Sequence, residues 1–262
     1  MQGKTDVAEK INIRYDNADM LLSRNAILRH FKEGNIVIDP FDERKLKTTS
    51  YDVTLGDFFW REGHPDGKAT VHNLYDEAST KNVWQGPHQS EEAEAIMGRL
   101  GMRFENIKPH DKIILLRPGE TILAHTHEFI GGRNKIVTKM YARSSMGRNF
   151  VEVCKDAGWG DVGYFNRWTM EVTNNSQYFT IPLVVGRRIG QIVFYEVEPL
   201  TSTSDYVAEG GKYQGSQNLE ELKETWSPHQ MIPQMHKDWE IKHFEDIANK
   251  AKSMEGAMIY QI

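Results

Sequence analysis

The densest run of groups able to hold an oxyanion is Ala142-Arg-Ser-Ser-Met-Gly-Arg148, between two apolar runs. Two guanidinium forks and two adjacent hydroxyls match the oxygens of a phosphate chain in charge and geometry. The same residues also fit a polar helix start, with Ser144 or Ser145 as cap and the arginines in solvent. Farther on, the run from Asp156 to Asn174 (DAGWGDVGYFNRWTMEVTN) is a turn-rich start leading into a strand. Within that strand Glu171 breaks the apolar alternation, with Met170 and Val172 on the opposite face. A carboxylate among core strands is costly unless paired or used, so Glu171 is either a proton-transferring base or a residue of the exposed face. A third cluster, Gly186-Arg-Arg-Ile-Gly-Gln-Ile-Val-Phe194, is a tight turn into a buried strand. A fourth, Gly211-Lys-Tyr-Gln-Gly-Ser-Gln217, combines flexible glycines with a lysine, a ring and amides. It suits either a flap closing over a nucleotide or an ordinary surface loop.

These groups need a scaffold, and 262 residues, 39% of them hydrophobic and 26% charged, are enough for a folded core with additions. From Lys112 to about Pro199 short apolar runs recur between turn residues, the pattern of an antiparallel barrel or jelly roll. Before it, Ser23 can cap a short helix with Ile27, Leu28 and Phe31 on one face and Gly34 at its end. Two strands are expected at Asn35–Pro40 and Ser50–Gly56. Residues 57–110 have little pattern and are expected as an elaborated loop, holding one helix after Ser90 with Glu91 and Glu92 in its first turn and Gly101 past its end. Residues 1–20 are expected as a solvated extension. Ile232, Met235, Trp239, Phe244, Ile247, Ala251 and Met254 are spaced for a C-terminal helix packed on the barrel, within an extension running 219–262.

Charge and cysteine content exclude whole classes. A formal net charge of −5 lacks the basic footprint of a polymeric nucleic-acid binder, although a few converging arginines can still bind a small triphosphate. The single cysteine, Cys154, excludes an intramolecular disulfide and a multi-thiolate zinc site, and suits a reducing compartment. The polar N-terminus lacks the apolar stretch of a signal peptide and no window of 18 apolar residues follows, so the expected location is cytoplasmic, with no membrane partner. His125 and His127 share one face of a regular strand, but no further ligand is evident nearby and the pair is taken as packing.

In order along the chain, these clusters resemble the dCTP deaminases of the dCTP deaminase and dUTPase superfamily. The likeness begins with Leu22-Ser-Arg-Asn-Ala-Ile, Ile38-Asp-Pro-Phe and Ser50-Tyr-Asp-Val-Thr-Leu-Gly56. It continues through Leu116-Arg-Pro-Gly-Glu120 and Leu123-Ala-His-Thr-His-Glu128 into the four clusters above, covering about 21–218 except much of 57–110. It implies a mainly β, distorted jelly-roll or β-barrel subunit of the dUTPase-like type with a few short helices, assembled as a homotrimer with interfacial active sites. Glu171, Ser144 and Arg148 would form the deamination centre, with the Ala157 backbone holding the nucleophilic water. Arg143 and Ser145 would bind phosphates, Asp161 and Tyr164 the deoxyribose, and Gln191 would belong to the nucleotide-binding set. Lys212, Tyr213 and Gln214 would fold over the triphosphate, and Mg2+ would accompany it, neutralising charge.

Zinc nucleobase deaminases need a Pro-Cys-x-x-Cys element, which one cysteine cannot supply. Water activation then falls to a side chain, with Glu171 passing a proton to the ring nitrogen and the leaving ammonia while Arg148 and Ser144 steady charge. The implied reaction converts dCTP to dUTP and ammonia in pyrimidine deoxynucleotide metabolism. Alternatives are a bifunctional enzyme giving dUMP and pyrophosphate, a plain dUTPase, or a catalytically silent trimer that senses nucleotides or binds proteins. Four positions depart from the family pattern. Gly158-Trp159 stands where relatives carry histidine and arginine, Val162 replaces a proline, and Asn166 replaces a hairpin glycine, a change that Asn tolerates at positive φ.

Overall fold

The computed structural model describes residues 20–65, 70–200 and 205–242. Thirteen strands appear among them: β1 Met20–Leu21, β2 Ile36–Asp39, β3 Tyr51–Glu62, β4 Trp84–Gln89, β5 Glu91–Glu92, β6 Lys112–Leu116, β7 Thr121–Gly132, β8 Ile136–Ala142, β9 Val151–Val153, β10 Trp159–Gly160, β11 Phe165–Asn174, β12 Ile181–Val184 and β13 Arg188–Glu196. The helices are α1 Arg24–Lys32, α2 Glu77–Val83, α3 Ala93–Leu100, α4 Ser144–Gly147, α5 Leu219–Thr225 and α6 Trp239–Lys242. The fold is mainly β with few helices. One antiparallel sheet runs in the order β10-β8-β13-β3-β7-β11-β9, and β12-β6-β5 form a second.

The main core is built by residues that alternate inward from these strands. Tyr51, Val53, Ile122, Ala124, Met170, Val172, Ile192 and Phe194 are all closed to solvent. Burying each such aliphatic or aromatic side chain is worth roughly 1.5–3 kcal/mol, which holds the sheet curled around its apolar face. Helix α1 closes one side as its sequence predicts. The Ser23 hydroxyl accepts from the Ala26 amide, Ile27 is fully buried, and Leu28 and Phe31 pack on the same core. Gly101, at φ 65°, ends α3 in the left-handed conformation that glycine adopts without a Cβ penalty.

Residues 57–110 carry more order than a loop. β3 continues to Glu62 and pairs with β4, with α2 between them. Glu91 and Glu92 do not enter the first turn of α3. They pair instead with Ile113 and Lys112, and Glu91 bonds Arg99 across the helix. The C-terminal reading also changes. In place of one helix from Ile232 onward there are two short 3-10 turns, Pro228–Met231 and Met235–Lys237, and then α6. Pro233 explains the break, since it has no amide to donate and keeps Ile232 extended at ψ 133°. Phe244, Ile247, Ala251 and Met254 lie outside the described residues, as do residues 1–19.

Segment 219–232 docks on the outer face of the sheet. Leu222 packs with Val37, Phe129 and Phe165, while Met231 packs with Trp60 and Leu123. The Trp60 indole also donates to the Pro228 carbonyl at 2.8 Å. His125 and His127 do not share a face, because β11 advances from Arg167 to Thr169 while β7 advances from Phe129 to His125. That irregularity leaves His127 exposed and buries His125. The His125 ring lies 2.8 Å from the Thr126 carbonyl through Nδ1 and accepts from the Phe58 amide at Nε2, 3.2 Å. Both bonds fit the neutral ring, and burial depresses its pKa to about 4.

Two outcomes follow. Met231→Ala should lower unfolding free energy in urea by about 2–5 kcal/mol, the cost of emptying a filled apolar site. His125 is neutral in the folded chain, so its stabilising effect is complete above about pH 6.5 and is lost as pH falls toward 4. Unfolding curves between pH 7 and 4.5 should therefore show wild type losing up to about 3 kcal/mol more than His125→Gln.

Candidate active site

Glu128 and Glu171 lie in the neighbouring strands β7 and β11, the first fully buried and the second half-buried, and their surroundings differ. Glu128 on β7 accepts from Lys45 Nζ at 2.6 Å, the Thr54 amide at 2.9 Å and the Thr54 hydroxyl at 2.7 Å. It is a satisfied structural carboxylate. Glu171 on β11 has Oε2 buried with no hydrogen-bond partner. Burial raises its pKa, and Lys155 only partly opposes that. A buried carboxylate oxygen without a partner costs the fold free energy, which makes Glu171 a candidate for a functional group.

The backbone beside Glu171 is unusual. The Cys154 amide donates to the Glu171 carbonyl at 3.0 Å, and β9 pairs Val153 with Val172. Cys154, Lys155 and Asp156 then take three successive positive φ values, 67°, 25° and 64°. Non-glycine residues pay for that conformation, and the surrounding structure must hold them in it. The result is a tight turn in which the Ala157 amide donates back to the Cys154 carbonyl, so that its N–H is already occupied. The thiol of Cys154 is buried against Met140 and raised in pKa by that burial, so it takes no part as a nucleophile.

Asp161 and Tyr164 follow at the hairpin leading into β11. The Asp161 carboxylate accepts from the Trp159 indole at 2.8 Å. Tyr164 stands edge-on to Trp168 and Tyr206, and burial raises the pKa of its hydroxyl. The hairpin's positive φ falls at Gly163, 93°, and not at Asn166. Asn166 is an extended residue of β11 whose amide instead bonds the Tyr213 carbonyl.

The segment 212–217 is folded down on this hairpin. Gln214 is buried, accepts from the Phe165 amide at 2.7 Å and donates to the Gly163 carbonyl at 2.7 Å. The Tyr213 amide donates to the Tyr206 hydroxyl, and the Tyr213 hydroxyl accepts from the Gln234 amide. Lys212 forms an ion pair with Asp238. Glu171, Ala157, Asp161, Tyr164, Tyr213 and Gln214 are thus carried by one hairpin and the segment closing on it.

The arginine-serine box lies elsewhere on the chain. Arg143 is the residue before α4, Ser144 is already helical, and neither serine caps the helix. Arg143 lines a groove of about 740 Å3 together with Arg44, Lys45, Lys47, Arg187 and Arg188. Ser144, Ser145 and Arg148 are exposed beside β9, and no hydrogen bond among the described residues joins them to Glu171. Gln191 sits half-buried in β13, opposite Asp52 and Tyr141. Sequence reasoning did not single out Arg167, whose buried Nε lacks a partner and whose guanidinium lies over Phe129 and Trp226. It also passed over Tyr206 and the groove residues Arg44, Lys45 and Lys47, which come together with Arg143, Arg187 and Arg188 only in the fold.

A dCTP deaminase-like family model matches residues 21–197. The dUMP-forming dCTP deaminase of Methanosphaera stadtmanae is 31% identical over 186 residues, 71% of this chain and 82% of the relative. That of Dictyoglomus thermophilum is 30% identical over 196 residues, 74% of this chain and 89% of the relative. The dCTP deaminase of Haloarcula marismortui is 28% identical over 198 residues, 75% of this chain and 90% of the relative. Both the family match and the identity of these relatives place this chain in the dCTP deaminase-like family.

Proposed function

We propose that this chain is a hydrolytic dCTP deaminase in which Glu171 activates water against C4 of cytosine. The observation carrying this reading is the buried Glu171 oxygen without a partner, on the strand whose Glu171 carbonyl accepts from the start of the strained Cys154–Asp156 turn. Water held between the two loses a proton to Glu171 as its oxygen bonds C4. Glu171 passes that proton to N3, and a second transfer lets the amino group leave as ammonia, so that dCTP and water give dUTP and ammonia. Ser144 and Arg148 orient the water and balance charge on the ring, Arg143 and Ser145 hold phosphate oxygens, and Gln191 supports that end of the site. Asp161 and Tyr164 hold the sugar, and Lys212, Tyr213 and Gln214 close over the phosphates.

Ser144 and Arg148 are exposed on one chain, away from the hydrogen bonds of Glu171, which favours a site completed by a second copy in a homotrimer. Phe150, Tyr178 and Phe179, 55%, 80% and 68% exposed, give that end of the sheet an apolar surface suited to such contact. Magnesium fits as a passenger of the triphosphate. Among the described residues no three His, Cys, Asp or Glu side chains form a metal cage, and Mg2+ readily keeps phosphate oxygens and water as ligands. When bound it neutralises phosphate charge. No described helix is long and apolar enough to cross a membrane.

A second reading, onward hydrolysis to dUMP and pyrophosphate, is supported by the dUMP-forming relatives and by the carboxylate of Asp161, a group able to orient a water. Incubating dCTP and dUTP separately and resolving dUTP, dUMP and pyrophosphate separates the readings, and turnover of dUTP without dCTP would reject deamination. Glu171→Gln should bind dCTP yet lose roughly 10²–10⁴-fold in kcat. The base must be ionised to act, so the wild-type rate should fall as pH drops through a pKa above the ordinary 4.5 of a glutamate, and this acidic limb should vanish with the residual activity of the variant.

A further inference from the structure

Trp159 is a large apolar side chain left 58% exposed on a two-residue strand, and its neighbours explain why it points outward. β10 pairs with β8, Trp159 opposite Lys139 and Gly160 opposite Thr138. Gly158 and Gly160 press flush against the sheet. A Cβ at Gly158 would lie 2.6 Å from the Met140 carbonyl oxygen, and one at Gly160 would lie 2.6 Å from the Trp168 ring. Neither position accepts any other residue without displacement of backbone or core, so the Gly-Trp-Gly run holds this edge close to β8. Alternation then turns the residue between the glycines away from the core.

The outward indole is not free in direction. Its N–H donates to Asp161 Oδ1 at 2.8 Å. One carboxylate oxygen is thereby occupied and the plane of the group is set, leaving Oδ2 to accept from a ligand. Trp159 also lies in sequence between the Ala157 turn and the Asp161–Tyr164 hairpin, the two segments proposed to hold the water and the sugar. The only free hydroxyl of a 2′-deoxynucleoside 5′-triphosphate is the 3′-hydroxyl, the donor that a fixed Asp161 oxygen can read.

We propose that Trp159 is a specificity-determining positioning residue, whose indole N–H fixes the Asp161 carboxylate so that the site selects nucleotides carrying a 3′-hydroxyl. This rests on the reading of Asp161 as the sugar-binding group. Trp159→Phe keeps the ring and removes the N–H. Its effect is read with dCTP and 2′,3′-dideoxy-CTP, both as kcat/KM and as Kd by calorimetry.

The variant should lose about tenfold for dCTP and nothing for the dideoxy nucleotide, which lacks the group that Asp161 reads. Trp159→His, which restores a ring N–H, should recover part of the preference. Asp161→Asn should abolish the preference, and adding Trp159→Phe to it should change nothing more. Equal losses for both nucleotides, or an unchanged preference, would overturn the proposal. Wild-type protein that binds both nucleotides but deaminates neither would overturn the deaminase reading, while the comparison of the two Kd values would still decide the role of Trp159.

Discussion

The proposed site depends on one carboxylate oxygen, Oε2 of Glu171, held buried without a partner. Glu171 can be kept so only because β11 is clamped on both edges, by β7 across Leu123 and Ile122 and by β9 across Val153. Those ladders fix where the side chain sits and which strand face it occupies, since a slip of one residue would send it to the other face. The buried Met170 and Val172 flanking it make the register costly to change. Glu128 shows what the same fold does with a carboxylate meant for structure, surrounding it with a lysine and a threonine. The difference between the two is the difference between a group whose free energy is already satisfied and one that gains when a ligand arrives.

A second constraint is backbone strain. The turn at Cys154–Asp156 persists because the Glu171 carbonyl and the β9 ladder hold its start and the Met140 amide, donating to the Gly158 carbonyl at 2.7 Å, holds its end. The glycines that follow let the chain return flush to β8, so turn and edge strand together form one wall of the site.

The closing segment completes this arrangement from a distance in sequence. Gln214 replaces two missing strand partners of the hairpin by bonding an amide and a carbonyl, so segment and hairpin are docked as one surface. The residues after 218 brace the same segment from behind through the Gln234 amide and Asp238. They anchor in turn on Trp60, Leu123 and Phe129, and the outer face of the sheet therefore bears on the shape of the site.

Local chemistry made much of this legible before any coordinates. Period-two apolar runs marked β6, β8, β11 and β13, the Ser23 cap marked α1, and the ordered polar clusters marked the family and the hairpin that carries Glu171. Where a rule depends only on neighbours in the chain, a cap, a turn or an alternation, sequence is sufficient. Tertiary structure alone decided the rest. Whether Glu171 is satisfied or orphaned depends on strands far away in sequence, and the separation of His125 from His127 depends on an irregular pairing with β11. The order within 57–110 and the cationic groove lined by Arg143 likewise arise from contacts that no local spacing encodes. Burial and pairing are properties of what surrounds a residue in space, and that is why they appear only once the chain is folded.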